Sequence, residues 1–284
     1  MSLFKMMQAI SSSGSSASVK KKIIIDIGQS NSAGYAETAR MPEAGYLLNP
    51  SGVSVYDKPD VSATDNGNWV SYTAGQYQQV YPVDRQGTYS QFGATVVLGQ
   101  LAQSFFNENI YLIKCGFGGT SLQQNVNQFT DWNANSTNEN LDFFLENFFD
   151  VAIPKLGDVE IIGVIWHQGE ADATNGTATT NYGTNLTAMI NKVRAHDSLL
   201  SSCPIVLTEL NYAQTANEST INGHIQTVAT AMANVNSISI SDLPRKKDLT
   251  TLQKKGFSAG LQDDSHSSYL AQIGKAERAF EFFK

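Results

Sequence analysis

Residues 21–37 read KKIIIDIGQSNSAGYAE. An apolar, β-prone run ends at Gly28 and passes directly into small polar residues, with Ser30 at the joint. A serine between a strand and a helix usually caps the helix. The alternative is a nucleophile held at a strand end, and that role needs a base within reach and a third group to orient the base.

The wider chain sets the frame for this choice. Its 284 residues, 41% of them hydrophobic and 10% aromatic, suffice for one α/β domain with a full core. A formal net charge of -7 and a pI near 5.1 leave no basic surplus for nucleic acid, so a neutral or zwitterionic substrate is expected. Cys115 and Cys203 both stand in or beside apolar β-like runs and are expected as buried free thiols. Residues 1–19 combine a short apolar stretch, broken by lysine, with a Ser/Gly-rich tail. They read as a flexible arm rather than a signal peptide, which leaves a secreted or virion-associated setting open. No apolar run reaches the roughly 20 residues that span a bilayer, so a soluble protein without a membrane partner is expected.

From residue 20 to 284, apolar β-rich runs alternate with stretches of helical period. Strands are expected at Lys22–Gly28, Asn109–Cys115, Val159–His167, Pro204–Asn211 and Val235–Ser241, and helices at Gln91–Phe106, Leu141–Ala152, Asn181–His196, Thr220–Ala233 and Tyr269–Phe283. That alternation predicts a three-layer α/β/α sandwich on a five-stranded parallel sheet of flavodoxin-like type. Residues 37–90, with Tyr46, Tyr56, Tyr72, Tyr77, Tyr81 and Tyr89, keep no sustained period. They read either as a decorated surface loop with a short hairpin or two, or as an aromatic wall of a sugar-binding cleft.

Ligands of open parallel sheets sit beyond the carboxyl ends of the strands. Three such ends carry suitable chemistry: Gly28, Gln29, Ser30 and Asn31; then Gly116 to Ser121; then Trp166, His167, Gln168, Gly169 and Glu170. Of the four histidines, His196 reads as a helix C-terminal cation and His224 as a passive helix residue, while His167 lies inside a strand-end motif. His266 stands before the last helix with Asp263 three residues upstream. That spacing lets the carboxylate orient the imidazole, although Asp263 or Ser265 could equally cap the helix.

Together, GQSN at 28–31, GGTS at 118–121, WHQGE at 166–170 and the Asp263-x-x-His266 pair resemble the SGNH (GDSL-like) hydrolases. The closest likeness is to their carbohydrate esterase branch of acetylxylan and sialate O-acetylesterase-like proteins. The resemblance implies Ser30 as nucleophile, His266 as base and Asp263 as its orienter. It also implies an oxyanion hole from the Ser30 and Gly118 or Gly119 main-chain N–H groups with the Gln168 amide, and supporting roles for Glu170, Asn31 and His167. Deacetylation of an oligo- or polysaccharide without metal or cofactor is the activity it implies. A lipase or thioesterase of the same fold, or a non-catalytic carbohydrate-binding module, are the alternatives. Trp69 and Trp132 are candidate sugar-stacking residues, with core-edge packing equally open for Trp132. Ser32 stands where the Gly-x-Ser-x-Gly elbow has its second glycine, against the α/β-hydrolase fold. SQFGATVVLGQ at 90–100 replaces the Gly-Pro-Glu segment common in the branch.

Overall fold

The computed structural model describes residues 19–58, 67–74, 91–126, 130–211, 217–245, 248–250 and 266–284. Nearly all of the expected arm, and Asp263, lie outside these residues.

The opening run forms strand β1 (Lys21–Gly28), followed by a four-residue helix α1 (Ser30–Ala33). After a short strand β2 (Ala36–Glu37) come β3 (Val53–Asp57), β4 (Asn68–Ser71) and β5 (Gln91–Phe92), which pairs with β2. Helix α2 (Ala94–Phe106), strand β6 (Ile110–Gly116), a helix α3 over residues 140–152, strand β7 (Val159–His167) and the short helix α4 (Glu170–Ala173) follow. Helix α5 (Gly176–His196), strand β8 (Ile205–Thr208), helix α6 (Glu218–Ala231), strand β9 (Val235–Ile238) and helix α7 (Tyr269–Phe280) complete the order.

The main sheet runs β4-β3-β6-β1-β7-β8-β9, parallel throughout except for β4 against β3. It therefore has seven strands, not five. The two additional strands come from the 37–90 region and form an antiparallel pair at the sheet edge. Their runs are five and four residues long, too short to establish a period among the Gly, Asp and Asn around them.

β1 sits at the centre because both its faces are apolar. Ile23, Ile25 and Ile27 pack into the core under α3, α5 and α6, while Ile24 points into the opposite core under α2 and α7. Side chains alternate along a strand, so Asp26 shares the Ile24 face. It is buried among helices α2 and α7, a fact that matters below. Cys115 and Cys203 are buried free thiols, and burial pushes both above their ordinary pKa.

β1 lies between β6 and β7, at the point where successive strands turn to opposite sides of the sheet. A crevice opens there in folds of this kind. Gly28 lets the strand ends converge: its φ is +144°, Gln29 N–H donates to the His167 carbonyl at 3.0 Å, and Phe117 N–H donates to the Gly28 carbonyl at 2.9 Å. A Cβ on Gly28 would stand 2.2 Å from the His167 carbonyl oxygen. Gly28→Ala should thus lose about 2 to 5 kcal/mol from backbone strain and overpacking together. Urea unfolding of the variant beside wild type measures this.

Candidate active site

Ser30 is not a helix cap. Gln29 occupies the cap position and makes no side-chain capping bond, while Ser30 is the first helical residue, 9% exposed. A first-turn N–H has no carbonyl of its own helix to bind, so the Ser30 N–H belongs to the orphan donors of a helix start.

Asn31, one residue on, ties four parts of the chain together. Its Nδ2 donates to Glu170 Oε1 at 2.6 Å, and its Oδ1 accepts the Ser267 N–H at 2.8 Å. Its main-chain carbonyl accepts from Gln272 Nε2 at 3.0 Å and Lys275 Nζ at 2.8 Å. The Ser267 contact spans 236 positions and brings the segment carrying His266 to the turn carrying Ser30. The His266 ring stacks on Tyr35, five residues after Ser30, with centroids 4.1 Å apart and planes at 16°. The last helix is capped by Ser268, whose side chain accepts the Ala271 N–H at 3.2 Å; Asp263 and Ser265 lie outside the described residues.

Beneath α1 lies a buried set of charges. Asp26 accepts from the Ser32 and Thr95 hydroxyls, and Lys114, its register partner on β6, donates to the Ala33 carbonyl. Lys275 also reaches His167 Nδ1 at 3.1 Å, and His167 Nε2 stands 3.4 Å from Glu170 Oε1. Burial, and then the Lys275 ammonium, lower the His167 pKa, so the ring is neutral near pH 7. For Glu170, burial pushes the carboxyl up, but His167 and the Asn31 amide outweigh it and hold the group below its usual value. Burial draws Lys114 and Lys275 each down to about 8, against the pull of Asp26.

The turn after β6 is held by Asp172. Its Oδ2 accepts the Leu122 N–H at 2.8 Å and Gln168 Nε2 at 2.6 Å, and its Oδ1 accepts the Gln123 N–H at 3.0 Å. Gln168 Nε2 also donates to the Thr120 carbonyl at 3.0 Å and stands 3.3 Å from Gln29 Oε1. The Gln168 amide is fully buried, and its two hydrogens are directed at these internal acceptors. Gly119 takes a φ of +73° in the same turn.

The remaining candidates fall away from this place. His196 pairs with Asp150 at 2.8 Å at the end of α5, and His224 lies on α6, packed over Gly183. Trp132 is a core residue, fully buried with its Nε1 donating to Thr120 Oγ1 at 3.0 Å, and does not offer a face to a sugar. Tyr56 and Tyr72 are likewise buried, and Tyr77, Tyr81 and Tyr89 lie outside the described residues. Trp69 is half-buried, its Nε1 donating to the Ala152 carbonyl at 3.1 Å. Sequence reasoning missed Asp26, Lys114, Lys275 and the work of Asp172. A signal existed for two of them: single charges inside the apolar strand runs IIIDIG and LIKCG.

A family model described as carbohydrate esterase, sialic acid-specific acetylesterase, matches residues 20–259. The chain belongs to that family. The matched span includes Ser30 and the WHQGE motif and stops short of Asp263 and His266. No curated protein matches this esterase. Among solved structures, a protein from Arabidopsis thaliana has a TM-score of 0.64 at 17% identity, covering 93% of this chain and 98% of its own. NanS has a TM-score of 0.65 at 14% identity, with 93% and 96% covered. A carbohydrate acetylesterase from Xanthomonas citri has a TM-score of 0.59 at 15% identity, with 92% of this esterase covered but 55% of the Xanthomonas chain. These likenesses are of fold, and they agree with the three-layer sandwich around a mostly parallel sheet. Among the described residues no helix is long and apolar enough to cross a membrane.

Burial raises the Asp172 pKa from 3.8 to about 6 despite the donors around it. The folded state then binds a proton more readily than the unfolded chain, so this group's stabilisation is full below about 4 and is lost as pH rises through about 6. Relative to Asp172→Asn, wild type should therefore lose stability between about pH 4 and 7. Urea midpoints of the two proteins across that range check the sign.

Proposed function

We propose that this carbohydrate acetylesterase hydrolyses its ester through an acyl-enzyme, with Ser30 as nucleophile and His266 as general base. The observation that carries the reading is the Ser267 N–H bond to Asn31 Oδ1, which joins the segment of the base to the turn of the nucleophile. Ser30 Oγ attacks the acetyl carbonyl as His266 takes its proton. His266 then protonates the departing sugar oxygen, and water repeats the sequence on the acyl-serine. Asp263, three residues before His266, orients the imidazole in this scheme; Glu170 acts by holding Asn31, which it contacts directly.

The developing oxyanion is taken up by main-chain N–H groups, those of Ser30 and Gly119, with Gly118 opening the turn between strand and loop. Gln168 serves this hole by fastening the Thr120 carbonyl and Asp172 from beneath, the partners its amide hydrogens already have. The substrate is an O-acetylated sugar, the class named for the family to which the chain belongs.

Acetate release from a panel of O-acetylated glycans, acetylated sialic acids included, tests the reading. Wild type should release acetate, and Ser30→Ala should release none while melting at the wild-type temperature. Turnover by Ser30→Ala, or a preference for octanoyl over acetyl p-nitrophenyl esters, would remove it.

A further inference from the structure

Helix α1 has only four residues, so none of its carbonyls is satisfied by a long run of helix. The Ser30 carbonyl accepts the Gly34 N–H at 2.8 Å, and the Ala33 carbonyl takes the Lys114 ammonium. The Asn31 carbonyl takes Gln272 and Lys275, three residues apart on α7 and therefore on one face of it. Lys275 is 1% exposed, a burial that disfavours an ammonium unless its bonds and counter-charges compensate.

Those bonds close a ring. His167 Nδ1 faces the Lys275 ammonium, which has only hydrogens to offer, so the neutral imidazole carries its proton on Nε2. Nε2 stands 3.4 Å from Glu170 Oε1, the same oxygen that accepts from Asn31 Nδ2. Lys275 thus grips Asn31 twice: directly at its carbonyl, and through His167 and Glu170 at its side chain. The apolar contacts of α7 in its core are made by other residues, Ile273, Ala276, Ala279 and Phe280.

We propose that Lys275 is a positioning residue for ester hydrolysis, its ammonium anchored between the Asn31 carbonyl and His167 Nδ1 so that the turn bearing Ser30 is fixed for attack. The proposal rests on Ser30 as the nucleophile. A charged donor is worth roughly twice a neutral one, so the ammonium form holds the turn most firmly. The charged or titratable groups facing it are Asp26 from β1, Lys114 from β6, His167 from β7 and Glu170 from α4. Helix α2, packed along α7, carries no charged residue. With the folded-state pKa drawn down to about 8, the ammonium is lost above that pH while the unfolded chain keeps it to 10.5. By linkage this deprotonation does not lower stability; it favours the folded state. Rate and stability should consequently part company on the alkaline side, which a role confined to holding the fold together would not produce.

The test is steady-state kinetics on p-nitrophenyl acetate from about pH 6.5 to 9.5, blanked with Ser30→Ala, with melting temperatures alongside. Wild-type kcat should fall above about pH 8 with KM unchanged and no matching fall in Tm. Lys275→Met should lower kcat about 10- to 100-fold at neutral pH, leave KM within about twofold, and lack the alkaline fall. Wild-type kcat and an intact alkaline fall in Lys275→Met would overturn the proposal, as would loss of the fall in Lys114→Met alone. Should Lys275→Met not fold, the wild-type profile decides: a kcat flat to pH 9.5, or falling only with Tm, overturns it. Failure of the Ser30 assignment is recognised separately, by turnover in Ser30→Ala.

Discussion

One hydrogen bond, from the Ser267 N–H to Asn31 Oδ1 at 2.8 Å, joins the segment carrying His266 to the turn after β1. With the His266 ring stacked on Tyr35 and the last helix bonded to the Asn31 carbonyl, it sets the segment bearing His266 against the end of β1. An amide side chain suits this task because it offers an acceptor and two donors on one rigid plane. Asn31 uses the acceptor for the segment carrying His266 and a donor for Glu170, and its main-chain carbonyl receives the last helix. A single residue beside Ser30 therefore sets the positions of three other elements.

The sheet arrangement makes that possible. β1 is flanked on both sides by strands that follow much later in the chain, and its end opens into the gap where they diverge. Gly28 narrows the gap to main-chain hydrogen-bonding distance, so the turn after β6 and the motif after β7 arrive at the same place. Asp172 then fastens the first of these turns to the second through the Leu122 and Gln123 N–H groups.

Much of this was legible in the sequence, and the limits have physical causes. Strands β1, β6, β7 and β8 stood out because burial on both faces writes apolar runs, as in IIIDI and VIW, the edge strand β9 showed a weaker one, and the five longer helices keep their amphipathic period. β3 and β4 were not legible as strands, since pairs at a sheet edge need few apolar residues and here show no repeat. Ser30, Gln168 and His266 carry motif signals. Lys275 carries none, because a lysine in KAER on an amphipathic helix looks like any solvated residue. Only the fold reveals that its turn of α7 faces a buried carboxylate rather than water. Trp132 illustrates the converse: a loop tryptophan in polar surroundings reads as a ligand platform, yet its indole is spent on Thr120 inside the core.

The placement of β1 has a consequence for how the molecule assembles. Its partners begin at residues 110 and 159, and its terminal turn is completed only by residue 267 and the helix beyond. Every pairing of the central strand is thus remote along the polymer, so closing it spends chain entropy before any local contact rewards it. Helices α5 and α6 can form on their own period, whereas the junction of residues 31 and 267 must wait for nearly the whole chain. A partly folded ensemble would already contain much of the secondary structure and not yet that junction.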